Sequence, residues 1–230
     1  MKTIGLIGGM SWESSAEYYR IINEAVKARL GGLHSADCLM YSFDFDEIEQ
    51  YQMQGRWDIA EKRLIEVAQR LEQAGADCVL ICTNTMHKMA EAVQDAITIP
   101  LLHIADTTAD AIKGQGLNSV GLLGTVFTME EAFYKGRLVG KFGLQVLIPD
   151  IEGRALVNRV IYEELVKGII DPKSREEYVK IIHKMAKNGT QGVILGCTEI
   201  GLLIHPEDSP IPVFDTTTIH AMAAVDFALA

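Results

Sequence analysis

Two short segments of this chain carry polar and nucleophilic groups at equivalent places. GVILGCTEI at 192–200 echoes CVLICTNTM at 78–86. Superposing Gly189 on Gly75 (189 − 75 = 114) sets Val193 on Val79, Ile194 on Leu80 and Cys197 on Thr83 (197 − 83 = 114). Each segment reads as a buried strand running into a polar turn, one corner offering a thiol and the other a hydroxyl. Thr198 and Glu199 follow the thiol as a helix begins, a place where a helix N-terminus favours the thiolate. Glu199 opposes that effect unless it points away or is protonated. On position alone Cys197 reads equally well as a buried structural thiol. The hydroxyl at the repeated position favours a chemical role, because a strand core seldom requires one there. A threonine hydroxyl is too weak an acid to ionise near neutrality, so Thr83 is a poor base. It can still pass on a proton that water or another group replenishes. Two such groups suit a reaction that takes a proton from one side of a carbon and returns one to the other, which is racemisation or epimerisation.

The duplication that positions these corners runs further. IGLIGG at 4–9 matches VGLLGT at 120–125, and IPLLHIAD at 99–106 matches IPVFDTTT at 211–218. The matches keep one order with offsets of 116, 114 and 112, which indicates two halves of one design. Each half reads as strand, helix, strand, helix. Ile4 to Ile7 form a strand, and SSAEYYRIINEAVKARLGG a helix with Ser14 and Glu17 as capping box and Gly31 as stop. Thr128 and Glu131 repeat that box in the second half. LMYSFDF at 39–45 reads as the next strand. Trp57, Ala60, Leu64, Val67, Ala68 and Leu71 then share one face of a helix ending at Gly75, as Tyr178, Ile181, Ile182, Met185 and Ala186 do in a helix ending at Gly189. Apolar strands alternating with amphipathic helices predict parallel sheets covered on both faces. The expected architecture is α/β with two pseudo-symmetric lobes, 1–106 plus 211–230 and 107–210, and an active site in the cleft between them.

Composition narrows the function classes. The chain has 230 residues, 48% hydrophobic and 23% charged, with a formal net charge of −10. That balance argues against nucleic acid or an anionic membrane surface as partner. No apolar run approaches the roughly 20 residues of a membrane span, and Met1 leads directly into a strand, so a cytoplasmic location is expected. The four cysteines, Cys38, Cys78, Cys82 and Cys197, are too few and scattered for a disulfide framework. Cys78 and Cys82 share one strand face and read as core packing, and no metal site is expected.

GLIGGM at 5–10, CTNTMH at 82–87 and GCTEIGLL at 196–203 together resemble the cofactor-independent aspartate/glutamate racemase superfamily over essentially the whole chain. The Cys-Thr-Glu sequence is more similar to the aspartate racemases, and CTNTMH to a bacterial amino-acid racemase branch. The resemblance implies a pair of cysteines, one per lobe, acting as base and acid without pyridoxal phosphate or other cofactor. Its first cysteine maps to Thr83, because Cys82 lies one residue off and faces the other way. It also implies that Cys197 serves the L-enantiomer, so the expected enzyme is a one-sided racemase of L-aspartate or L-glutamate favouring L to D. For substrate binding, Asn84 and Thr85 suit one carboxylate, and Thr198 with its neighbour Glu199 the other. The resemblance adds Lys167 at the distal carboxylate, and places Gln52 where aspartate racemases carry an arginine, with Arg56 displaced. Met10 and Thr125 are expected to line the pocket. His87 reads either as a packing residue or as one that orients a carboxylate or buffers the proton, and His103 and Asp215, equivalent in the repeat (215 − 103 = 112), carry no assigned role. The resemblance also implies a homodimer.

Three other readings stand beside this one. A broad-specificity racemase would dispense with the acidic side chain. A decarboxylase of the same superfamily needs only one thiol but an apolar pocket, which Lys167 and Gln52 oppose. A two-lobed protein that binds an amino acid without turnover would close on its ligand and leave the α-proton in place. GLIGGM lacks the G-x-G-x-x-G spacing of a dinucleotide site.

Overall fold

The computed structural model describes residues 1–230. By internal contacts the chain forms two compact units, Met1–Ile104 with His220–Ala230, and Ala105–Ile219.

In the first unit the order is β1 (Ile4–Gly8), α1 (Trp12–Leu30), β2 (Cys38–Ser42), α2 (Phe45–Met53), α3 (Trp57–Gln73), β3 (Cys78–Ile81), a 3-10 turn (Thr85–Met89) and α4 (Ala90–Asp95). The sheet is parallel with order β2-β1-β3. Strand alternation sorts its two faces. Ile7, Val79 and Ile81 pack with Ala60, Leu64, Val67 and Ala68 of α3. Ile4, Leu6, Cys78, Leu80 and Cys82 pack with Tyr18, Ile22 and Val26 of α1 and with Ala221, Ala224, Val225 and Ala228 at the C-terminus. Both cysteines of the 78/82 pair are core residues, as their shared face requires.

The second unit runs α5 (Ile104–Gly114), β4 (Ser119–Gly124), α6 (Val126–Glu130), α7 (Ala132–Phe142), β5 (Gln145–Leu147), α8 (Ile151–Glu163), a 3-10 turn (Leu165–Lys167), α9 (Pro172–Lys187), β6 (Gly192–Gly196), α10 (Ile200–Leu203), β7 (Val213–Asp215) and the start of α11 (Thr216–Leu229). Its parallel sheet has order β5-β4-β6-β7. The α/β architecture with two parallel sheets is therefore that of the repeat. Val193 pairs with Val213, and at the matching place in the first unit Val79 bridges to Leu101.

The boundaries differ from expectation in places with clear causes. Ser11, not Ser14, caps α1 by accepting the Ser14 N–H, while the Ser14 hydroxyl turns inward to the Cys82 carbonyl. Thr125 likewise caps α6 by accepting the Thr128 N–H (125 − 11 = 114), so the capping repeat is present three residues earlier than the Ser14/Glu17 and Thr128/Glu131 boxes. The strand expected over 39–45 ends at Ser42, because Asp44 caps α2 and draws Phe45 into it. The Ile-Pro segment of the first half makes one bridge rather than a strand. The segment after 211 first adds β7 to the second sheet, and only from His220 does the chain join the first unit.

Candidate active site

Cys197 stands directly after β6, and a glycine pair lets that strand end approach its neighbour. A Cβ on Gly124 would lie 2.8 Å from the Gly196 carbonyl oxygen, and one on Gly196 2.8 Å from that of Leu123. The register pairs Gly124 with Gly196, which puts Thr125 and Cys197 one step beyond on adjacent strands. Thr216 and Thr217 brace the corner from α11, their hydroxyls donating to the Leu195 and Thr198 carbonyls at 2.8 and 3.2 Å. Neither brace was legible as part of the site; their only signal was the Thr-rich stretch after Asp215.

Cys197 is 8% exposed, and its thiol donates to Glu199 Oε2 at 2.8 Å. Thr198 Oγ1 donates to the same oxygen at 3.1 Å, and Glu199 is buried. Burial pushes the Cys197 thiol well above its ordinary range, and the Glu199 charge and hydrogen bond push it further, against the backbone N–H groups of Glu199 and Thr198. The backbone N–H groups do favour the thiolate, but burial and Glu199, which points at the thiol, outweigh them. The helix beyond, α10, has four residues, so few peptide dipoles add up there. Cys197 therefore rests as a thiol with its proton already directed at a carboxylate. Tyr178, whose phenol is also raised, first by burial and then by Cys197, donates to the Val157 carbonyl at 3.0 Å.

Thr125 serves its helix cap, with its hydroxyl 3.2 Å from that of Thr128. Lys167 is exposed, but the turn that carries it packs against α10. Glu164, just before that turn, buries an Oε2 with no hydrogen-bond partner.

The matching corner of the first unit begins where the Cys82 N–H donates to the Ile7 carbonyl. Thr83, Asn84 and Thr85 are all buried, and the segment beyond them is a short 3-10 turn rather than an α-helix start. Gln52 is buried on α2 and donates to the Met86 sulfur at 3.1 Å, so the structure brings it to this corner. Arg56 is exposed and paired with Asp58. Met10 is buried after β1, where Gly9 takes φ +83° and donates its N–H to Ser15 Oγ.

His87 fixes the back of this corner. Its Nε2 lies 3.1 Å from the Ile104 N–H, which can only donate, so Nε2 accepts. Nδ1 therefore carries the proton and donates to the Thr83 carbonyl at 2.7 Å. Both nitrogens of the neutral ring are used by backbone, which makes His87 the packing residue of the two readings. His103 packs against it with the rings tilted by 55° and their centroids 4.6 Å apart. Cys82 is buried in the core and its thiol is raised by burial, so it is no substitute for the hydroxyl at 83.

Two α/β units, each with a parallel sheet closing a strand on a polar corner and one of them bearing a thiol paired with a carboxylate, describe an isomerase of the racemase class. The chain belongs to the Asp/Glu/hydantoin racemase family, whose model matches residues 7–224. It is 56% identical, with TM-score 0.93 and full coverage of both chains, to a Yersinia pestis crystal structure described as a candidate Asp/Glu racemase. An aspartate racemase homologue from Pyrococcus horikoshii OT3 is 35% identical, TM-score 0.87, again over the whole of both chains. The broad-specificity amino-acid racemase RacX of Bacillus subtilis is 24% identical over 243 residues, covering 99% of this chain and 98% of that protein. No helix is long and apolar enough to cross a membrane.

Proposed function

We propose that the protein racemises an acidic amino acid, L-aspartate or L-glutamate, without a cofactor and chiefly in the L to D direction. The observation that carries this reading is the Cys197 thiol donating to Glu199 at 2.8 Å. A thiol is no base, but a thiol already bonded to a carboxylate can give up its proton as substrate arrives. The thiolate then takes the α-proton of the L-enantiomer and becomes a thiol again, and Glu199 releases the proton it received to solvent. The carbanion is protonated on its other face by the Thr83 hydroxyl, which regains its proton from water. In reverse Thr83 would have to act as the base, and no carboxylate is bonded to its hydroxyl, so removal from the D-enantiomer is slow.

Asn84, Thr85 and Gln52 in the first unit, and Lys167 in the second, are the proposed carboxylate contacts, with Met10 and Thr125 lining the pocket. Thr198 and Glu199 change role from substrate binding to control of the thiol, because their side chains bond to each other and Glu199 to Cys197. A broad-specificity enzyme is the second reading, favoured by Gln52 standing with Met86 rather than a cation beside the first corner. The protein is further proposed to act as a cytoplasmic homodimer, and light scattering at working concentration tests the assembly.

The assay is a panel of L- and D-amino acids in deuterated water, following loss of the α-proton signal. Cys197→Ser should abolish exchange on every substrate, and Thr83→Cys should raise exchange from the D-enantiomer at least tenfold. Binding of the amino acid without any α-exchange would instead establish the non-catalytic reading, and release of carbon dioxide the decarboxylase.

A further inference from the structure

Asp215 ends β7 without a role in the reaction. Its Oδ1 accepts the Thr217 N–H at 3.1 Å, its Oδ2 accepts the Thr218 hydroxyl at 2.6 Å, and it forms no ion pair. Its carboxylate lies against Gly201 of α10, where an added Cβ would come within 3.2 Å of both oxygens. Asp215 and Thr218 open into a cavity of about 370 Å³ within the second unit. That volume is within the range of small-molecule pockets, roughly 300–1,000 Å³. Burial raises the Asp215 carboxyl above its ordinary range, against its hydrogen bonds to Thr217 and Thr218.

The walls of the cavity select among ligands. Val213, Ile219 and Pro206 supply apolar surface with Ile204 and Phe214 buried behind it, Thr218 places its hydroxyl on the carboxylate, and Gln115 is a further polar residue of the wall. His205 is the other titratable side chain on the wall, and its own backbone N–H is held by Asp208, which pairs with Arg175. An anionic ligand would meet a desolvated negative charge. A hard divalent cation would find one carboxylate where it requires six or more oxygens. A primary ammonium has three N–H donors, which the Asp215 carboxylate and the remaining lone pairs of Thr218 Oγ1 can accept. The Thr218 hydroxyl already donates to Asp215, so its lone pairs are free to face the ligand.

We propose that this cavity is a second ligand site, separate from the Cys197 corner, that takes a small organic ammonium ion with a compact apolar body. The ammonium bonds Asp215 and Thr218 while its carbon chain lies on Val213 and Ile219, in front of Ile204. The occupant sits behind α10, the helix that follows Cys197 and Glu199.

The test uses n-pentylammonium and its neutral counterpart n-pentanol on the full-length protein with Cys197 alkylated, so that the reaction corner is blocked. Methyl NMR follows Ile204 and Ile219 during each titration at pH 8. The ammonium should bind at least tenfold more tightly than the alcohol and shift both methyls, and that preference should shrink as the pH falls and Asp215 takes up a proton. Asp215→Asn should erase the preference, and Thr218→Val, which keeps the side-chain volume, should reduce it. Equal binding of the two probes, no shift of either methyl up to the solubility of the amine, or a preference that survives in Asp215→Asn would overturn the proposal. The probe comparison and its pH dependence need no variant, so a misfolded Asp215→Asn leaves the test intact.

Discussion

Replacing Glu199 by Gln separates two properties that ordinarily move together, thiol reactivity and catalysis. In the native protein a thiolate at 197 would stand 2.8 Å from the Glu199 carboxylate. Coulomb's law at an effective dielectric of about 20 gives a repulsion of about 6 kcal/mol at that distance, and about 4 kcal/mol if the pair relaxes to about 4 Å. Each tenfold change in ionised fraction corresponds to about 1.4 kcal/mol. Even if solvent and the new amide offset most of the repulsion, Glu199→Gln should increase the neutral-pH alkylation rate of Cys197 by at least about tenfold and lower the pH at which alkylation reaches half its limit. The same change removes the group that accepts the thiol proton. Loss of a general base typically costs a factor of about 10²–10⁴, so α-deuterium incorporation from the L-substrate should fall at least about 100-fold. Iodoacetamide kinetics read by mass spectrometry across pH 6–10, beside exchange monitored by NMR, measure both. An unchanged or slower alkylation rate, or exchange at the native rate in Glu199→Gln, would refute the reasoning.

Other outcomes follow from the same structure. His220 is fully buried, its Nε2 donating to the Leu102 carbonyl and its Nδ1 accepting from Tyr18 OH, and burial lowers its pKa from 6.5 to about 4. The unfolded chain takes up a proton that the native ring refuses, so folding should lose about 3 kcal/mol from this group as the pH falls from about 6.5 to 4; in denaturant melts the stability of the native protein should fall more steeply with acid than that of His220→Gln in that window, with the same slope above it. The buried thiols act at the alkaline end, since burial pushes Cys78 up to about 12 and Cys82 higher still. Their contribution is complete below about pH 8.5 and fades above it, so Cys78→Ala with Cys82→Ala should flatten the alkaline limb of the stability curve. Gly124→Ala drives a methyl against the Gly196 carbonyl and should cost about 1–3 kcal/mol in denaturant melts while slowing exchange, since the strand end carrying Cys197 must shift.

The repeat was legible because it is written in period-2 strands and capped helices, both local patterns. Val79 and Val193, Gly75 and Gly189, and the caps at Ser11 and Thr125 all recur in the structure at offset 114. Sequence alone places the caps three residues late because Ser14 and Thr128 are also hydroxyl residues, and only the inward turn of Ser14 to Cys82 distinguishes them. The thiol and hydroxyl corners were readable from residue type. The protonation state of Cys197 was not, because it depends on which way one side chain, Glu199, points and on α10 having only one turn. The tautomer of His87 depends on the Ile104 N–H, seventeen residues away, and no local pattern encodes that contact.

Initial-rate α-deuterium incorporation from L- and D-aspartate and from L- and D-glutamate, measured side by side on the native enzyme in deuterated water, bears most directly on the division of labour between Cys197 and Thr83. The account predicts that the L-enantiomer of at least one pair incorporates deuterium at least tenfold faster than its D-counterpart. Equal rates from both enantiomers would contradict it, since the hydroxyl at 83 would then serve as a base as competent as the Cys197–Glu199 pair.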